Sequence, residues 1–293
     1  MRTDPRWHQN TGTPRRRSRV GRRGVLLGAL MIVAAFAVVV AVLVSVSSSA
    51  PLRTDGARIS RLTIASRFVH AKMGLTLVTP ASGGAHRPLL VFLHGHHADN
   101  NSVLSNQLFT ALHALGSSAP DIAFPSGGAL SYWHNRTDGA WSSYVLNEVI
   151  PKALTVLGAN PRRVAIGGIS MGGYGAYALA RLEPRRFCAI GGHSPAIWFA
   201  YRNAEKGAFD NASDFARNDV ITAAKANPKL YGHAQLWLDI GTQDPFFQAT
   251  DQQLATALHI KLHTWPGGHD SRYWNAHWND YLGFYAHELA TCR

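Results

Sequence analysis

Gly168-Ile169-Ser170-Met171-Gly172 leaves this chain few ways to fold. The apolar run Arg163-Val164-Ala165-Ile166-Gly167 precedes it, and small residues follow it from Gly172 to Leu182. The first run reads as a buried strand and the second as a helix that packs closely on its neighbours. A serine between glycines at such a junction fits a sharp, strained strand-to-helix turn. There the glycines let helix and strand approach, and the hydroxyl stands clear of the sheet edge. The adjacent helix N-terminus favours negative charge.

The rest of the chain supplies the sheet that this turn requires. Residues 75–79 alternate like a strand, and the run PLLVFL at 88–93 is continuously apolar, as in a strand covered on both faces. Further short apolar runs at 121–124, 187–191, 236–240 and 261–265 read as strands. Helical spacing marks residues 142–157, with Pro151 expected to kink or restart the helix, then 249–258 and a closing helix over 272–290. Strands alternating with helices give an α/β fold, a mostly parallel central sheet with helices on both faces. Residues 195–233 break the alternation and read as an insertion over the site.

A serine nucleophile needs a base, and the base needs an orienting carboxylate, in the chain order Ser, Asp or Glu, His for this fold. Asp244 lies four residues past the run 236–240, on a loop at the carboxyl edge of the sheet, where sites of parallel sheets lie. Asp239 falls within the apolar run and points into the layer, while Asp251 and Asp270 are weaker choices. Of His259, His263, His269, His277 and His287, only His269 sits in a glycine-rich turn directly after a strand. The expected triad is therefore Ser170, Asp244 and His269. Two backbone N–H groups must hold the developing oxyanion. Met171, after the nucleophile, provides one, and the loop His94-Gly95-His96-His97 provides the other, with His96 preferred to His97. Trp133 and Trp141 are candidates for binding substrate, core packing being their other reading. No metal or organic cofactor is expected.

The N-terminus carries a separate message. Eight arginines against Asp4 in residues 1–23 hold +7 of the +12 formal charge. Residues 24–46 follow without a charge and would span roughly 34 Å as a helix, enough for a bilayer core of about 30 Å. This organisation predicts a basic cytoplasmic tail (1–23), a transmembrane anchor or signal segment (24–46), a linker (47–60) and a catalytic domain (61–293) outside the cytoplasm. Small residues up to Ala50 allow cleavage and secretion instead. The anchor accounts for the arginines, so no nucleic-acid partner is expected. Cys188 and Cys292 are the two cysteines, and the sequence leaves their pairing and the oligomeric state open.

The stretches Val91-Phe92-Leu93-His94-Gly95, Ser131-Tyr132-Trp133-His134, Asp138-Gly139-Ala140-Trp141, the Ser170-Met171-Gly172-Gly173 turn, Gly241-Thr242-Gln243-Asp244 and Gly267-Gly268-His269-Asp270 together resemble the esterase D-like α/β-hydrolases. That family includes S-formylglutathione hydrolases, feruloyl esterases and secreted mycolyltransferases. The resemblance spans residues from about 70 to 290 and implies the same triad, Ser170, Asp244 and His269. Taken with the N-terminal segment, it leads to the expectation of a membrane-anchored serine esterase acting on a small-molecule, lipid or glycan ester. Two rivals stand beside it: a cell-envelope acyltransferase with the same triad, and a non-catalytic surface binding protein.

Overall fold

The computed structural model describes residues 51–292. The expected tail and anchor, residues 1–46, lie outside them, as do linker residues 47–50. No helix among the described residues is long and apolar enough to cross a membrane.

Among the described residues ten strands form, in chain order β1 (Arg58–Ala65), β2 (Lys72–Thr79), β3 (Leu89–Leu93), β4 (Asp121–Pro125), the short pair β5 (Asn135–Arg136) and β6 (Gly139–Ala140), β7 (Val164–Ile169), β8 (Ala189–His193), β9 (Gln235–Gly241) and β10 (Leu262–Trp265). The main sheet runs β1-β2-β4-β3-β7-β8-β9-β10; β2 is antiparallel to β1 and β4, and all other neighbours are parallel. β1 starts at Arg58, inside the segment expected to be linker. Its apolar residues Ile59, Leu62 and Ile64 are separated by polar ones and only Ile64 is buried, as on an edge strand, so no continuous apolar run marks it.

All five residues of β3 are buried, and they feed two cores in alternation. Leu89, Val91 and Leu93 face one side of the sheet, while Leu90 and Phe92 face the other. Helix α1 (Asn106–Ala114) covers the second side. On the first side, α2 (Trp141–Tyr144) and α3 (Ile150–Leu157) are joined by a π-helical turn at Val145–Val149. Pro151 offers no N–H to that helix, and the wider turn absorbs the disruption without breaking it. Helix α4 (Met171–Ala180) is buried along its whole length, which its glycines and alanines permit.

The insertion folds as two short helices, α5 (Ala212–Asn218) and α6 (Val220–Ala226). Helix α7 (Gln248–Leu258) follows β9. The expected single closing helix is two, α8 (Ser271–Ala276) and α9 (Trp278–Thr291), separated at His277. Helix α9 covers the α1 side of the sheet. Cys188, just before β8, and Cys292, just after α9, form a disulfide with Cα atoms 5.7 Å apart. The segments that follow β3, β4, β7, β8, β9 and β10 all leave the same, carboxyl edge of the parallel strands, and there the site is assembled.

Candidate active site

Ser170 sits between β7 and α4 with φ 53° and ψ −117°, a left-handed conformation that a non-glycine residue adopts only under constraint. Its own backbone holds it there. The Ser170 N–H donates to the His193 carbonyl at 3.0 Å, and its carbonyl accepts from the Tyr174 and Ala196 N–H groups, each at 3.0 Å. Gly172 lies so close to the carbonyls of Leu93 and His94 that a Cβ there would strike backbone, and a Cβ on Gly168 would meet Gly172 and Leu93. The two glycines thus set how near the helix comes to the strand.

His269 Nε2 lies 2.8 Å from Ser170 Oγ, and His269 Nδ1 lies 2.7 Å from Asp244 Oδ2. An ionised carboxylate can only accept, so Nδ1 carries the proton and the Nε2 lone pair faces the serine hydroxyl. Asp244 Oδ1 accepts from the Phe246 and Phe247 N–H groups at 2.8 and 3.2 Å. Burial pushes the Asp244 carboxyl upward. The hydrogen bonds from His269, Phe246 and Phe247 outweigh it and hold the group below the usual carboxylate range. The two loops are tied together: Thr242 N–H donates to the Trp265 carbonyl and Gln243 N–H to that of Gly267, both at 2.8 Å. A Cβ on Gly241 would strike that same Gly267 carbonyl.

Around the serine, the loop after β3 settles which amide is free. His97 N–H donates to the Ala129 carbonyl at 3.0 Å and is spent. His94 turns its Nδ1 onto the Gly95 carbonyl at 2.7 Å and accepts from the Gly127 N–H on Nε2 at 2.9 Å. Burial pulls the His94 ring down to about 4, so it is neutral and Nδ1–H is the donor. In a trans peptide the N–H points opposite to the C=O. With the Gly95 carbonyl drawn to His94, the His96 N–H points the other way. Met171 N–H opens α4 and has no acceptor within the helix. These are the two candidate oxyanion donors.

The other acids are accounted for. Asp239 is fully buried on β9 and pairs with His193, its register partner on β8, at 2.6 Å. It also accepts from Trp237 Nε1 and from the Tyr273 and Tyr281 hydroxyls, while His193 Nε2 meets Tyr285 Oη at 3.0 Å. This second Asp–His pair holds β8, β9, α8 and α9 together and faces no serine. Asp270 caps α8 by accepting from the Tyr273 N–H. Asp251 is fully buried, and burial, with Asp244 and Asp239 nearby, pushes it well above the carboxylate range. Among the other histidines, His259 ends α7, His263 stacks on Trp237 and His277 pairs with Asp280.

A cavity of about 610 Å³ opens over Ser170 and His269, walled by His96, Tyr132, Ile169, Trp198, Phe246, Phe247 and Trp274. Trp133 and Trp141, expected to bind substrate, do not line it. The Trp133 indole is fully buried against Gly127 and Gly175 and donates to the His94 carbonyl, and Trp141 packs on Gly128 and Gly139. Tyr132 and Trp133 both have positive φ (45° and 57°), and this double turn leaves Tyr132 on the cavity wall while Trp133 packs in the core. Sequence reasoning missed Tyr132, Trp198, Glu205, Phe246 and Trp274 as wall residues. Phe246 and Trp274 stood within five residues of Asp244 and His269, which was the available signal. Glu205, in the insertion, accepts from Tyr132 Oη at 2.7 Å and lies 3.2 Å from His96 Nε2; no sequence pattern pointed to it.

The "Putative esterase" family model matches residues 66–285. A curated relative, the MPT51 antigen of Mycobacterium leprae, is 31% identical over 121 residues, 40% of this chain and 39% of that protein. Among solved structures, a ferulic acid esterase superposes with a TM-score of 0.69 at 20% identity, covering 79% of this chain and 98% of its own. An S-formylglutathione hydrolase from Agrobacterium tumefaciens superposes at 0.66 with 16% identity, covering 83% and 99%. Likeness at these identities establishes the α/β-hydrolase-like fold with its mostly parallel sheet.

Proposed function

The chain belongs to the "Putative esterase" family of ester-hydrolysing enzymes, and on that premise we propose that it works as a serine esterase through an acyl-enzyme on Ser170. The observation that carries the reading is the unbroken run Asp244 Oδ2, His269, Ser170 Oγ at 2.7 and 2.8 Å, at the floor of an apolar cavity.

In this mechanism Ser170 Oγ attacks the ester carbonyl while His269 Nε2 takes its proton. The His96 and Met171 N–H groups hold the oxyanion. The intermediate collapses, the alcohol leaves with the proton from His269, and the acyl group stays on Oγ. Water, deprotonated by His269, then attacks the acyl carbon, the bond to Oγ breaks, Oγ takes the proton back from His269, and the acid is released. Asp244 keeps the imidazole in the productive tautomer and stabilises its cation. A second reading replaces water with a sugar or lipid hydroxyl. The aromatic walls, which can cover an acyl chain and keep water away, favour it. The site also carries an intact hydroxyl, imidazole and carboxylate, which a purely binding role would not need.

The same reading puts the enzyme outside the cytoplasm, anchored by residues 24–46. The arginines before that segment support it, as does the Cys188–Cys292 disulfide, because disulfides persist in oxidising compartments.

A fluorophosphonate probe tests the core of the proposal: wild type labels and Ser170→Ala does not. Labelling that survived the substitution would move the nucleophile elsewhere. An ester panel with and without an alcohol acceptor separates hydrolysis from transfer, since a transferase yields the new ester in place of the free acid. Carbonate washing and protease treatment of intact cells test the anchor; a domain that washed off, or that protease failed to reach, would refute it.

A further inference from the structure

We infer that the rim of the ester cavity is a lipid-docking surface, by which the enzyme takes its substrate from a bilayer; the inference rests on the anchored-esterase reading above. Among the described residues six large apolar side chains are exposed, and three of them, Phe199, Tyr201 and Phe246, line this cavity or lie within three residues of Trp198 in its wall. Phe199 and Tyr201, 54% and 41% exposed, follow Trp198, which lines the cavity, within three residues. Phe246, 69% exposed, lines it beside His269, and Leu52 stands where the folded unit begins. Scattered apolar residues on a surface are ordinary, but a cluster around a site mouth marks an interaction surface.

The course of the chain names the partner. Arg53 N–H donates to Asn106 Oδ1 at 2.8 Å, at the start of α1, and Arg53 shares a groove with Asn275 and Trp278. Ser271 and Trp274, from the same α8 as Asn275, line the ester cavity. The chain therefore enters the folded unit beside the mouth. Only residues 47–52 separate Arg53 from the uncharged run 24–46, a reach of roughly 20 Å fully extended. Anchorage by that run keeps the edge bearing the mouth within this distance of the bilayer.

The chemistry of the rim agrees. Aromatic side chains favour the headgroup level, and cations beside them suit anionic lipids. Arg202 and Lys206, in the same insertion segment, and Arg272 on α8 are exposed. Glu205 between them bonds inward to Tyr132, so that segment turns cations outward. Exposed Asp99 and Asp270 on neighbouring loops offset part of this charge, leaving the aromatic contact as the main attraction.

The test uses the full chain in phosphatidylcholine vesicles containing phosphatidylglycerol. Two substrates are compared, a soluble short-chain nitrophenyl ester and a long-chain ester dissolved in the bilayer. The double variant Phe199→Ser/Tyr201→Ser should keep its rate on the first and lose roughly tenfold on the second. Equal loss on both, or loss on neither, overturns the inference. A second readout needs no turnover. Both native cysteines are in the disulfide, so an environment-sensitive dye on Phe199→Cys labels one site, with Ala85→Cys at the opposite edge, ahead of β3, as its control. The dye should shift blue on vesicles at position 199 and not at 85; a water-like signal at 199 overturns the docking. Failure of wild type on the soluble ester refutes the esterase reading, and failure to float with vesicles refutes the anchor. The dye, read on the protein mixed with the same vesicles, decides the docking in either case.

Discussion

At the residue scale, the described residues hold three buried Asp–His pairs, His134 with Asp214 at 3.0 Å and two shorter ones that distance alone does not tell apart. Asp244 reaches His269 at 2.7 Å and Asp239 reaches His193 at 2.6 Å, but only His269 has a serine hydroxyl on its other nitrogen. Their substitutions should therefore diverge. Asp244→Asn is expected to lower turnover by about 10⁴-fold with little change in Tm, because the imidazole loses the partner that sets its tautomer. Asp239→Asn places an amide where four donors converge and should cost on the order of 3–5 kcal/mol in stability. Its folded fraction should stay active. Paired melting curves and rates check this; a dead but stable Asp239→Asn would reverse the two roles. His94 adds a pH dependence of known sign. Its folded-state value is lowered from 6.5 to about 4, so below 6.5 the unfolded chain takes up a proton that the folded one refuses. Stability should fall as pH drops from 6.5 towards 4, by about 3 kcal/mol at most, with no further loss from this group below it. Melts across that range should show a shallower slope in His94→Gln.

At the element scale, the strand-to-helix turn depends on closeness that only glycine allows. A Cβ at Gly172 would meet the Leu93 and His94 carbonyls, which are backbone and cannot rotate away. Gly172→Ala should push α4 away from the end of β3, costing on the order of 1–3 kcal/mol and more in rate than in stability, since Ser170 and the Met171 N–H both ride on that turn. Comparing kcat with Tm for this variant measures the difference; equal modest losses would mean that the turn tolerates displacement. The insertion acts through its side chains instead. Trp198 walls the cavity, and Glu205 accepts from Tyr132 Oη and lies 3.2 Å from His96 Nε2. Burial lowers the His96 ring below the ordinary histidine value, although Glu205 opposes this, so the ring is neutral at neutral pH.

At the scale of the whole molecule, site and disulfide occupy opposite ends of the same strands. The site collects at the carboxyl edge, whereas Cys188 precedes β8 and ties it to the chain beyond α9 across 104 residues. Closing so long a loop restricts the unfolded chain, and Cys292→Ser should lower stability by roughly 2–4 kcal/mol. Activity per folded molecule should remain near wild type at 25 °C, because the substitution acts at the far edge. A rate loss without a Tm loss would show that the disulfide reaches the site.

The sequence alone was enough to derive the α/β layering and the residues of the proposed triad. Each of Ser170, Asp244 and His269 lies within four residues of the end of a short apolar strand, and in a parallel sheet every such strand ends at one edge. Proximity along the chain to a strand end thus stands in for proximity in space. Periodicity also kept Asp239 inside the sheet. What it did not contain is the cavity wall. An aromatic residue reads the same in a core and in a pocket, and the left-handed turn at Tyr132 and Trp133 decided which ring went where. Glu205 and Trp198 came from an insertion without a repeating pattern. Cys188 and Cys292 stand 104 residues apart in the chain and 5.7 Å apart between Cα atoms, a nearness that exists only once α9 has packed on the sheet. Strand ends are set by local alternation of apolar residues, whereas walls, bridges and cross-links are set by which distant surfaces the packing of the core brings together.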